Sequence, residues 1–160
     1  MHADIKSLLY EAEEHYLQPD EIDTFKNHTS SLAIRLETYE LLREQELVIF
    51  HAIADQLIAE FPQEPQINLE RGLKHWLTAM RYCAMAMVLN SPTYLQHRLL
   101  EWLTDLVQVY QLQAIETTIY QLLQKQLEHL SQQQLALIQP FLIQAKTTLL
   151  ATDELAQLPR

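Results

Sequence analysis

Apolar residues recur at helical spacing along almost the whole chain. Ile5, Leu8, Leu9 and Ala12 fall on one side of a segment predicted to be helical over about Asp4 to His15. "LQPDE" breaks that pattern, and Pro19 with Asp20 opens a second helix. It carries Ile22, Phe25, Leu32, Ile34 and Leu36 toward about Leu42. "EQELVIFHAIADQLIAEF" predicts a separate third helix through Leu47, Phe50, Ile53, Ala54, Leu57 and Ile58. "PQEPQ" is a loop, and a long helix follows from about Asn68 to Leu89. Ser91 then caps a helix with Pro92 in its first position and Leu95, Leu99, Trp102, Leu103, Leu106 and Val107 along one stripe. Another helix covers about Ala114 to His129. The last opens on a capping box, Ser131 with Gln134, and runs to about Ala151. Pro140 lies inside it and is expected to kink it. The pattern predicts at least seven helices and no sheet, with a core around Leu57, Tyr82, Leu103 and Leu142.

Composition supports an all-α fold. A sheet needs turns, turns favour glycine, and the chain has one, Gly72. Leu, Ala, Gln and Glu dominate, all good helix formers. The length of 160 residues suits one domain, here taken as residues 1–160 with 1–18 as an N-terminal helical extension. The formal net charge of −10 disfavours nucleic acid and direct docking on anionic lipid. No apolar run reaches the roughly 20 residues that span a bilayer. The acidic start does not suit a leader peptide, and a single cysteine fits a reducing compartment.

Candidate chemistry is sparse. Seven histidines are scattered without metal-ligand spacing, so no metal site is assigned. No nucleophile signature or acid–base pair can be named, so no catalytic residue is assigned and an enzyme is the weakest class. The acids of "EAEEHY" read as a solvated helix face. Cys83, inside "LTAMRYCAMAMVL", can be core, nucleophile, ligand or attachment point; core has the better prior because free cysteine is among the most buried residue types.

The order of elements adds a resemblance. A short helical pair, "EHYLQPDEIDTF", precedes a run of helices that includes "NLERGLKHWLTAMRYCAMAMVLN" and "HRLLEWL". This resembles the phycobiliprotein family, the globin-like antenna subunits of phycobilisomes. In that register Arg71 falls on a family arginine, His75 and Trp76 on an aromatic pair, and Tyr82 with Cys83 on a late pair. The resemblance implies a globin-like helical domain with an N-terminal two-helix extension.

The same register puts the family's bilin-attachment cysteine on Leu69 and the bilin-binding aspartate on Gly72. Leucine supplies no thiolate for a thioether. The expectation is therefore a divergent member with no covalent chromophore, and Cys83 as core. Arg71, His75, Trp76 and Tyr82 would remain as a vestigial pocket, with Tyr94 nearby. The family's subunits pair through the N-terminal helices, an acid there meeting an arginine on the partner. Glu11 falls near the acidic position; the arginine position falls on Thr78, with Arg81 nearly a turn away. The expected partner surface is Ile5, Leu8, Leu9, Glu11 and Arg81.

Three readings follow. One is a non-enzymatic interaction, assembly or regulatory factor for phycobilisomes or photosystems. Its partner would be a second copy or a phycobiliprotein or photosystem subunit, in the cytoplasm or plastid stroma and peripheral at the thylakoid. The alternative is a noncovalent tetrapyrrole carrier for bilin or haem, using Arg71 and the nearby aromatics. The least favoured is a haem or gas sensor with His75 and His97 as ligands.

Overall fold

The computed structural model describes residues 3–151, all helices and short connections, with no strand among them. The helices are α1 (Ala3–Glu14), α2 (Pro19–Glu60), α3 (Gln66–Leu89), α4 (Pro92–Leu95), α5 (Glu101–Tyr110), α6 (Gln113–Gln126) and α7 (Gln132–Leu149). A π-turn (Gln96–Leu100) joins α4 to α5 in one rod, and a 3₁₀ turn (Leu127–His129) extends α6. The seven α-helical segments therefore make six rods. The fold is all-α and globin-like.

One boundary needs correcting. The two helices expected on either side of about Leu42 are one helix, α2, of 42 residues. The apolar pattern pauses at "REQE" (Arg43 to Glu46), but those residues are good helix formers and no glycine or proline interrupts them. Thr38, Leu42, Ile49, Ile53 and Leu57 keep one buried seam through the pause. Thr38 is also the first fully buried residue of α2. Of the apolar residues that the second predicted helix carries, Ile22, Phe25 and Leu36 are exposed.

Local signals place most of the other ends. Ser91 Oγ accepts from the Tyr94 backbone N–H at 3.1 Å. Ser131 and Gln134 bond reciprocally, at 3.2 and 3.0 Å. The Glu21 carboxylate accepts from the Gln18 backbone N–H at 2.6 Å, ahead of Pro19 in the first position of α2. Asn90 ends α3 in the left-handed conformation, φ 46°. α7 continues through Pro140, whose ring faces solvent.

α3 is the centre of the fold. It packs against α2, α6 and α7. Arg35 ties α2 to its end, donating from Nη1 to the Met87 carbonyl at 2.6 Å and from Nε to Ser31 Oγ at 2.8 Å. Leu57, Leu103 and Leu142 are buried in one core, and Tyr82 packs half-buried against it. Cys83 belongs to that core, its thiol donating weakly to the Phe141 carbonyl at 3.5 Å. Burial pushes the thiol's pKa well up. A buried thiol that resists ionisation is a poor nucleophile. Cys83 should therefore label slowly with thiol reagents in the folded protein, and Cys83→Ala should cost about 1 kcal/mol in urea unfolding. Stoichiometric labelling within seconds would show that the thiol is not core.

Candidate functional site

The place to examine is the stretch of α3 from Asn68 to Trp76, where it meets α6. A Cβ added at Gly72 would lie 2.8 Å from Ile119 Cδ1 and 2.9 Å from Ile115 Cγ2. Real Cβ atoms do not approach so closely, so the lack of a side chain lets α6 lie directly on α3. Leu69, one turn earlier, is buried. Trp76, one turn later, is fully buried with its ring 5.2 Å from that of Tyr120 on α6. Lys146 of α7 lies 5.3 Å from the Tyr120 ring centre, a cation–π contact on the same stack.

A buried polar pair sits beside this contact. His75 Nδ1 and Glu116 Oε1 are 2.5 Å apart, with His75 8% and Glu116 0% exposed. Burial raises the Glu116 pKa above the usual carboxylate range, while the His75 hydrogen bond and charge partly oppose it. The Trp76 indole N–H lies near enough to favour the carboxylate, yet neither Trp76 Nε1 nor Glu116 Oε2 makes a hydrogen bond of good geometry. Glu116 was not anticipated from the sequence. "AIETTIY" did hold a signal: an acid between Ile115 and Ile119, on the arc that Tyr120 and Leu123 also use.

The anticipated pocket residues separate into two groups. Arg71, His75 and Trp76 share the α6 end of α3. The Arg71 guanidinium lies 4.3 Å over the Tyr110 ring, and its Nη1 donates to Asn68 Oδ1 at 3.4 Å. The His75 ring is 6.2 Å from the same tyrosine. Tyr82 lies turns away along α3, stacked with Tyr94 at 6.2 Å and 27°. His97 does not join His75: its side chain is 63% exposed on the π-turn and pairs with Glu101 at 2.5 Å.

The anticipated interface residues also divide. Ile5 and Leu8 are covered within this chain, where α1 packs on α2, whereas Leu9 and Tyr10 are 50% and 62% exposed. Ile5 and Leu8, expected on the partner surface, are therefore not available to a partner. The face α1 leaves to solvent includes Leu9, Tyr10, Glu11 and Glu13, with Lys6 beside them. Arg81 is exposed and forks onto Glu46, Nε to Oε2 at 2.8 Å and Nη2 to Oε1 at 2.6 Å. The fork rims a cavity of about 230 Å³ between α2 and α3, with Tyr39 and Arg43 at its side and Leu42, Met80 and Ala84 below. At the α1–α2 joint, ligand atoms of Glu11, His15 and Glu21 lie within 4.8 Å of one another. Acids this close are ordinary on an exposed acidic surface, and no metal is assigned to them.

A globin-like bundle, entered through a separate N-terminal helix and closed over α3 by α6, is the class these observations define. The model of one family, described as Phycobilisome protein, matches residues 8–149. The chain belongs to the phycobilisome protein family, whose members are structural light-harvesting proteins rather than enzymes. No curated protein matches it. Among the described residues, no helix is long and apolar enough to cross a membrane.

The Gly72 contact yields a direct test. Gly72→Ala puts a methyl group into Ile115 and Ile119, and overpacking of this kind costs about 1–3 kcal/mol, more than the helix propensity gained. Thermal unfolding should show the loss, and Gly72→Ala combined with Ile119→Val should recover part of it. A more stable Gly72→Ala protein would mean that α6 does not bear on position 72.

Proposed function

We propose that this member of the family carries no covalent bilin and acts through protein contacts, as an interaction or assembly factor of phycobilisomes. The observation that carries the reading is the filled α3–α6 contact. By resemblance, the attachment cysteine and the bilin carboxylate belong at Leu69 and Gly72. Here one is a buried leucine and the other lies under Ile115 and Ile119. The nearby carboxylate comes from α6 instead, with Glu116 Oε1 3.9 Å from where a Gly72 Cβ would be. It is already engaged by His75. A pigment would have to displace this packing before it could bind. The same features weigh against the noncovalent tetrapyrrole alternative, although Arg71 over Tyr110 would suit a propionate. The buried His75–Glu116 pair offers no access to a substrate, which supports a non-enzymatic role.

The partner surface we assign is the exposed face of α1 together with the Arg81 socket. α1 offers Leu9 and Tyr10 beside Glu11 and Glu13. The socket offers an apolar floor under Arg43 and Arg81. The two are complementary in charge and in apolar character, and both lie on one chain, so a second copy or a related antenna subunit can use them reciprocally. Association would place the protein at the thylakoid through that partner.

Two measurements test this. Co-expression with bilin synthesis and lyases should give no acid-stable adduct, and a denaturation-resistant bilin on Cys83 would contradict the reading. Light scattering should give a dimer for the intact chain and a folded monomer both for the chain lacking residues before Pro19 and for Arg81→Glu. The Arg81 side chain is 62% exposed but that of Glu46 only 20%, so the exchange loses the pair and adds like-charge repulsion; circular dichroism should show that the variant still folds. A monomer in all three, with no phycobilisome subunit co-purifying from a phycobilisome-containing cell, would remove the interaction reading.

A further inference from the structure

The start of α6 is built in an unusual way. Leu112 occupies its N-cap without a side-chain hydrogen bond to the helix. The residue before it, Gln111, has a φ of 51°, the left-handed region that non-glycine residues rarely adopt. Two side-chain bonds hold this end: Gln113 Nε2 donates to the Leu150 carbonyl at 3.1 Å, and Glu116, in the first turn, meets His75. An uncapped first turn depends on its tertiary contacts. Only one of the two bonds involves titratable groups.

We propose that His75 and Glu116 form a one-proton latch that holds the first turn of α6 closed over Gly72 and releases it when the shared proton is removed. With one proton between them the pair is neutral as a unit, either as imidazolium and carboxylate or as imidazole and carboxylic acid. Losing that proton to a base in solution leaves one negative charge, with at most a single imidazole N–H to meet it, in a site almost closed to water. Such a charge is strongly disfavoured unless it is hydrated. Its Oε2 makes no hydrogen bond, and the nearby Trp76 N–H is not in bonding geometry. Hydration therefore requires movement, and the first turn of α6 carries Glu116 with no side-chain cap to hold it. It rests through Ile115 on a glycine that has no side chain with which to interlock.

Among the described residues, His75 is the one cation that acts on Glu116. On α3, Arg71 is stacked over Tyr110 of α5, whose ring lies 6.2 Å from that of His75. On α7, Lys146 faces Tyr120 of α6, behind Trp76. The buried side chains of α2 are Thr38 and the aliphatic residues Leu42, Ile49, Ile53 and Leu57. The direction of pH dependence follows from burial. Glu116 holds a proton more tightly folded than unfolded, so the closed state is favoured at acid pH and weakened as pH rises through the raised folded value.

Trp76 reports the latch, since it touches the same seam and the chain has two tryptophans. In a Trp102→Phe background, acrylamide quenching of the remaining Trp76 should be low at pH 5 and rise at least threefold by pH 9. Adding Glu116→Gln, which leaves no carboxylate to ionise, should keep it low at both. Adding Gly72→Ala should raise it at both, because the methyl group displaces α6. If Glu116→Gln does not fold, proton magnetic resonance on the Trp102→Phe chain decides. The far-downfield signal of the His75–Glu116 hydrogen bond should vanish over the pH range in which quenching rises. Quenching that stays flat with pH overturns the latch. So does an equal rise in Glu116→Gln, or a hydrogen-bond signal that persists while Trp76 becomes accessible.

Discussion

The bearing of α6 on α3 at Gly72 is the contact on which the rest of the structure depends. It brings Ile115 and Ile119 within van der Waals reach of the α3 backbone. That closeness in turn puts Glu116 against His75 and Tyr120 against Trp76. Each of these contacts requires the two helices to be nearer than a side chain at position 72 would allow. Helix axes usually lie about 8–10 Å apart, with the spacing set by the residues at the crossing. The smallest residue at this crossing permits a close approach. It also leaves the buried acid no room for a water shell of its own.

A buried ion pair is weak evidence of stability, because desolvation offsets most of the attraction. The pair at His75 is better understood as a constraint on register. Removing one partner strands the other, which typically costs about 3–5 kcal/mol, whereas replacing both with apolar groups of similar shape is often neutral. Selection for stability alone would therefore not require a carboxylate inside the α6 stripe. A carboxylate that must meet one particular imidazole does fix how α6 is rotated and how far it slides along α3.

The fold was largely legible in the sequence, because amphipathic periodicity and helix caps are local. Ser91, Ser131 with Gln134, and Pro19 mark helix starts that the structure retains. The division of α2 was misjudged because a gap in the apolar pattern reads as an end, when Arg43 to Glu46 are one polar turn of a helix whose seam resumes at Ile49. The site was less legible. Leu69, Gly72 and Arg71 could be placed by resemblance, but Glu116 could not. Its role depends on a partner 41 residues away, and no local signal says which acid will be buried. The cover over Ile5 and Leu8 was missed for the same reason: whether a short amphipathic helix folds back is decided by α2, not by α1.

The Arg81–Glu46 fork shows how a surface can be prepared for a partner without being used up. Glu46 takes one hydrogen from Nε and one from Nη2. A guanidinium has five N–H donors, so three remain, two of them on Nη1. The fork also holds the guanidinium in one plane along the α2–α3 cavity, which reduces the rotamer freedom that a partner's carboxylate would otherwise have to remove. Glu46 thus orients Arg81 more than it neutralises it. On a chain with a net charge of −10, a second acidic protein approaches against general repulsion. A socket holding two arginines is where that repulsion is locally reversed, and the contact it makes should weaken as salt screens it. An acidic helix face that still carries Leu9 and Tyr10 suits this socket because it supplies both the carboxylates for the rim and the apolar groups for the floor.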